Sequence, residues 1–92
     1  MNLEFVEVGN GLWEAEFHAT GNFNLHLERE KTGYIIVQQR GTDSGEYYSA
    51  YAKSTYEGQR VFDCDFGALV YPKWVKVISE GKVNVGVVTY NS

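Results

Sequence analysis

One cysteine, one proline, one methionine and no apolar run of membrane-spanning length set the first bounds on this chain. A lone Cys64 cannot close an internal disulfide, which excludes the cystine-stapled scaffolds of small secreted proteins. A helical membrane anchor needs about 20 consecutive apolar residues, and no stretch approaches that. The opening, "MNLEFVEVGN", has neither a basic segment nor a continuous apolar core, so it does not read as a secretory signal; synthesis in the cytoplasm is expected, which leaves the final location open. Positive charge is also short: eight Lys and Arg face twelve Asp and Glu, for a net charge of −4. Nucleic-acid binding relies on clustered cations that displace counterions, so that class is set aside. No window carries a 3.6-residue apolar repeat, and little or no helix is expected.

What is present points to strands. Ninety-two residues make one domain spanning 1–92, with 43% apolar and 22% charged content typical of a globular chain. Seven Tyr, five Phe, two Trp and ten Gly favour strands broken by tight turns. Turn signals recur as "GNG" at 9–11, "TGN" at 20–22, "KTG" at 31–33, "GTDSG" at 41–45, "YEGQ" at 56–59 and "SEGK" at 79–82. Between them lie eight strands, near 3–8, 12–19, 22–30, 34–40, 46–54, 60–66, 73–79 and 82–90. Such spacing predicts an all-β antiparallel sandwich, jelly-roll-like in strand count.

The second and third strands alternate most clearly. Trp13, Ala15, Phe17 and Ala19 share one face of "LWEAEFHA", and Phe23, Leu25, Leu27 and Arg29 share one face of "NFNLHLERE". Joined as a hairpin through a three-residue loop, Ala19–Thr20–Gly21 with Gly21 left-handed, they pair Phe17 with Phe23 and Trp13 with Leu27. That register sets His26 across from Glu14 as an ion pair and His18 across from Asn22. A second hairpin through Ser79–Glu80–Gly81 pairs Val77 with Val83 and Val75 with Val85 on an inner face. Gly86 then falls on the other face, beside Val88 and near Trp74, and a glycine within a strand marks a bulge or the close approach of another backbone.

The stretch "VFDCDFGALVYPKW" (61–74) sets a thiol between two carboxylates. Alternation puts Phe62, Cys64 and Phe66 inward and Asp63 and Asp65 outward, so the thiol is inert and buried. The two carboxylates stand about 7 Å apart on one face. A calcium ion would need further oxygens, and only Asp43 in a nearby loop offers one, so no metal ligand is assigned. His18 and His26 are too far apart to share a metal, no histidine neighbours Cys64, and no serine sits in a "GxSxG" elbow. The reading is non-enzymatic, with no catalytic residue and no cofactor.

Surplus aromatic residues are the better functional lead. In "GEYYSAYAKSTYEG", Tyr47, Ser49, Tyr51 and Lys53 share one face and Tyr48, Ala50, Ala52 and Ser54 the other, while Trp74 opposes the Val75 and Val77 face. Amphipathic rings anchor protein interfaces. Tyr47, Tyr51 and Trp74 are therefore the expected contacts for a protein partner or a second copy. A small carbohydrate-binding module, stacking sugars on the same rings with Asn22, Asn24 or Asp63 bonding hydroxyls, is the alternative. Charge is uneven along the chain: residues 1–30 carry six acids and one base, residues 31–92 six acids and seven bases, an imbalance that either steers contacts between copies or forms a solvated acidic face. Pro72 marks a strand entry or edge, and a cis Tyr71–Pro72 bond is compatible with that.

The pattern "FDCDFGALVYPKW" and the ending that follows it, to "NVGVV", resemble the C-terminal half of small all-β proteins encoded by gut bacteria of the Bacteroidetes type and by their phages. The likeness covers about a third of the chain and includes no motif of known chemistry. It implies a jelly-roll-like module serving as a virion accessory or capsid-decorating protein, with a virion as the final location, and it transfers no functional residues.

Overall fold

The computed structural model describes residues 1–41, 45–54, 59–67 and 73–90. Eight strands run β1 (Val6–Gly9), β2 (Leu12–Ala19), β3 (Phe23–Arg29), β4 (Tyr34–Arg40), β5 (Tyr48–Ser54), β6 (Val61–Phe66), β7 (Lys73–Glu80) and β8 (Val83–Tyr90). All pairings are antiparallel. They form a five-stranded sheet in the order β1-β2-β7-β4-β5 and a three-stranded sheet in the order β6-β3-β8. The expected all-β sandwich is therefore the fold, with strand bounds close to those read from the turns. Pro72, the Tyr71–Pro72 bond and Asp43 lie outside the described residues.

Both expected hairpins are replaced by crossings between sheets. β2 pairs with β1 and β7, whereas β3 pairs with β6 and β8. Phe17 and Phe23 do meet, but edge-to-face across the core, with ring centroids 5.2 Å apart. Gly21 consequently needs no left-handed conformation and does not adopt one. β7 and β8 likewise lie in different sheets, so Val77 and Val83 are both core side chains but not ladder partners. The turn between them does use a left-handed glycine, Gly81 at φ 91°, whose N–H donates to the Gly11 carbonyl at 2.8 Å. A one-sided apolar pattern says which side chains enter the core. It is silent on whether sequence neighbours pair within a sheet or across the sandwich, since both arrangements bury the same residues.

Phe23, Leu25, Leu27, Ile35, Val75 and Val77 are fully buried between the sheets. Burying one such side chain is worth about 1.5–3 kcal/mol, so these positions dominate stability. At the β5/β6 side the gap is closed by aromatic rings: Phe66 stacks on Phe23 at 5.2 Å, and Tyr51 meets Phe66 edge-on at 5.6 Å. At the opposite side residues 1–3 run beside β8. The Leu3 N–H donates to the Gly86 carbonyl and the Val88 N–H to the Met1 carbonyl, each at 2.8 Å. At one end Arg29, 3% exposed, aims its guanidinium at the carbonyls of Gly33, Tyr34 and Glu80, 3.3–3.5 Å away.

Two bulges move side chains off the faces that strict alternation assigns. On β5, Val37 lies opposite Tyr51 but Gln38 opposite Ser49, so Ala50 is an extra residue. Tyr51 turns to the core side, while Tyr47 stands on the outer face. On β8, Arg29 lies opposite Val83 but Glu28 opposite Val85, leaving Asn84 extra. Val85 is outward and 38% exposed, and Gly86 and Val88 are buried. The expected inner Val85 and outer Gly86 are both reversed, because one inserted residue shifts every later side chain to the other face.

Candidate functional site

Three strands, with Tyr47 just ahead of β5, contribute to a ring and cation cluster on the outer face of the five-stranded sheet. Register sets His18 of β2 beside Trp74 of β7, and Trp74 beside Arg40 of β4. The His18 and Trp74 rings are 5.0 Å apart and tilted by 50°. The Arg40 guanidinium carbon lies 4.9 Å from the Tyr47 ring centroid and 5.7 Å from that of Trp74. Lys76 adds a second cation 4.5 Å from the Tyr47 ring, and its Nζ is 3.9 Å from Glu14 Oε1. The Tyr47 hydroxyl donates to the Glu16 carboxylate. Burial, and then that bond to an anion, push the Tyr47 phenol up to about 12. Cations over ring faces are worth about 0.5–1 kcal/mol each at exposed positions, and here they hold the rings in place.

Of the three expected contacts, Tyr47 and Trp74 share this cluster and Tyr51 does not. Tyr51 packs against the core with Phe62 and Phe66. Sequence reasoning missed Arg40, Lys76, His18 and Glu16 as members. The parity of "YIIVQQR" does signal Arg40: if Ile35 and Val37 are inward, Gln38 and Arg40 are outward. No local pattern could have set β5, β4, β7 and β2 side by side.

The outer face of the three-stranded sheet holds a second polar group. Asn24 Nδ2 donates to Asp63 Oδ1 at 2.6 Å and to Asp65 Oδ1 at 2.9 Å. His26 Nδ1 lies 2.7 Å from Asp63 Oδ2, and His26 Nε2 lies 2.8 Å from Glu28 Oε2. The expected His26–Glu14 pair is thus corrected, since β2 and β3 belong to different sheets. His18, expected across from Asn22, sits across from Trp74 for the same reason. The bonds to Glu28 and then Asp63 hold the His26 imidazole above its ordinary range, and the Asn24 and His26 bonds hold the Asp63 carboxyl below its own. Asp63 and Asp65 are outward and Phe62 is buried, as alternation implies. Cys64, half-buried against the core, has its thiol pushed up chiefly by burial. Among the described residues no group of three or more His, Cys, Asp or Glu is placed to hold a metal ion. Nor is any described helix long and apolar enough to cross a membrane.

Comparison with protein-family models, with curated proteins and with solved structures finds no match for this chain.

Proposed function

We propose that the protein is a non-enzymatic structural or accessory protein that docks on a larger protein assembly, or on copies of itself, through the outer face of its five-stranded sheet. The observation that carries this reading is the Arg40 guanidinium held against both the Tyr47 and Trp74 rings. Trp, Tyr and Arg are the residue types that dominate binding energy at protein interfaces, and ordering them beforehand lowers the entropic cost of association. A flat sheet face suits a broad protein surface better than a small ligand. Counting residues 1–3 as the outermost strand beside β8, and β1 as an added edge strand beside β2, the sheets read 1–3, β8, β3, β6 against β1, β2, β7, β4, β5. That order supports a jelly roll of two interleaved Greek keys, an architecture that recurs in capsid proteins. The resemblance of the 62–74 stretch supports a capsid-decorating role in a virion.

The carbohydrate-binding alternative is weaker on geometry. Its hydroxyl-bonding candidates Asn24 and Asp63 lie on the other sheet and bond one another, away from Tyr47 and Trp74. Two cations already occupy space over the Tyr47 ring.

The test is the solution mass of the protein by light scattering across a concentration series, alone and with candidate host assemblies. Trp74→Ala and Tyr47→Ala should each weaken association by about 30-fold, the loss of a 2 kcal/mol contact, and leave the fold intact. Tyr51→Ala should lower stability instead. Association unaffected by both Trp74→Ala and Tyr47→Ala would refute this docking face. A change in tryptophan fluorescence on titration with soluble polysaccharides, abolished by Trp74→Ala, would favour the alternative.

A further inference from the structure

Five polar side chains on the outer face of the three-stranded sheet form one bonded chain: Glu28, His26, Asp63, Asn24, Asp65. It runs from the central strand β3 to β6, which has no further strand beyond it in the described sheet. Both imidazole nitrogens of His26 face carboxylate oxygens. A neutral imidazole has one N–H and one lone pair, so only the doubly protonated ring can donate to both. The arrangement therefore specifies a cation at residue 26. The described outer-face positions of this sheet supply no second cation to balance the acids. Outer-face positions on β6 are Val61, Asp63 and Asp65, those on β3 are Asn24, His26 and Glu28, and those on β8 are Val85, Val87 and Thr89. None is Lys or Arg.

We propose that His26 is a proton-operated clasp that holds the edge strand β6 on β3. Protonated, the ring ties Asp63 of β6 to Glu28 of β3 by two charge-assisted bonds. Deprotonated, it keeps at most one of them, loses the charge that strengthens that bond, and leaves three carboxylates on one face. The consequence is local, because these side chains are half-exposed and screened by solvent. The buried Phe62 and the half-buried Phe66 keep β6 seated in the core while its hydrogen bonds to β3 open more often. Since the folded imidazole holds its proton more tightly than an unfolded one, the contribution is complete below about pH 6.5 and is lost as pH rises through the folded value.

Nuclear magnetic resonance tests this on the intact protein. Nitrogen shifts of the His26 ring should show both nitrogens protonated below a midpoint that exceeds about 6.5, and Glu28→Gln and Asp63→Asn should each lower that midpoint. Amide-exchange protection of Val61 to Phe66, corrected for the intrinsic pH dependence of exchange, should fall by about two- to fivefold across the midpoint. Amides shared by β3 and β8 should not change. His26→Gln should remove the step. A midpoint at or below about 6.5, or a step of equal size in His26→Gln, would overturn the clasp.

Discussion

Gly86 offers the most direct test of how the N-terminal residues close the sandwich. It lies opposite Leu27 in the β3–β8 ladder and accepts the Leu3 N–H. A Cβ added there would stand 2.7 Å from Phe5 Cε1, 3.3 Å from Phe5 Cδ1 and 3.5 Å from Leu27 Cδ2. The first distance is well inside van der Waals contact, so Gly86→Ala must displace the Phe5 ring from the margin of the core, where it packs. Overpacking of this kind costs about 1–3 kcal/mol. Alanine recovers about 0.5–1 kcal/mol over glycine in a strand through lower unfolded-state entropy. The net expectation is a loss of at most about 2.5 kcal/mol, which lowers the melting temperature by at most roughly 20 °C in a domain of this size. In a Phe5→Ala background the obstruction is gone, and the same substitution should be neutral or stabilising. The difference between backgrounds, about 1–3 kcal/mol, is the coupling between residues 5 and 86. Urea denaturation followed by circular dichroism measures all four corners of the cycle, with the denaturant slope checked for constancy. An equal change in both backgrounds would refute the packing of Phe5 on Gly86.

Two predictions concern ionisation elsewhere. Ultraviolet titration should show Tyr47 ionising only as pH nears about 12, and stability should drain away as pH climbs from the ordinary phenol value of about 10 toward that point. Glu16→Gln should lower the Tyr47 midpoint without restoring the ordinary value, because burial remains; an unchanged midpoint would exclude the bond to Glu16. Cys64 should react with a thiol reagent at mildly alkaline pH markedly more slowly in the folded protein than in urea, since burial raises its thiol. Equal rates would contradict its position against the core.

Much of the architecture was legible in period-two patterns and turn residues. "LWEAEFHA" and "YIIVQQR" alternate with one apolar side, and β2 and β4 occupy the expected residues. "VFDCDF" alternates too, and its aspartates are outward as expected, because a half-buried strand offers no other way to hide Phe62. Stretches with apolar residues on both sides were read less well. "YYSAYAKS" and "VNVGVV" each contain a bulge, and where both faces tolerate the same side chains a one-residue slip leaves no mark in the pattern. That slip separates Tyr51 from Tyr47 and so decides who belongs to the candidate docking face.

The sequence by itself determined the fold class, the strand positions and most of the core, because alternation and turn chemistry act over a few residues. Only the tertiary structure decided strand order: that β2 lies by β7 and not β3, that His26 meets Asp63 and not Glu14, and that Arg40 lies between Tyr47 and Trp74. The physical reason is that hydrophobic burial is non-directional. It rewards Phe17 and Phe23 for being inside whichever strands they pair with. The choice among equally buried arrangements comes from contacts between residues far apart in the chain, and no short stretch encodes those.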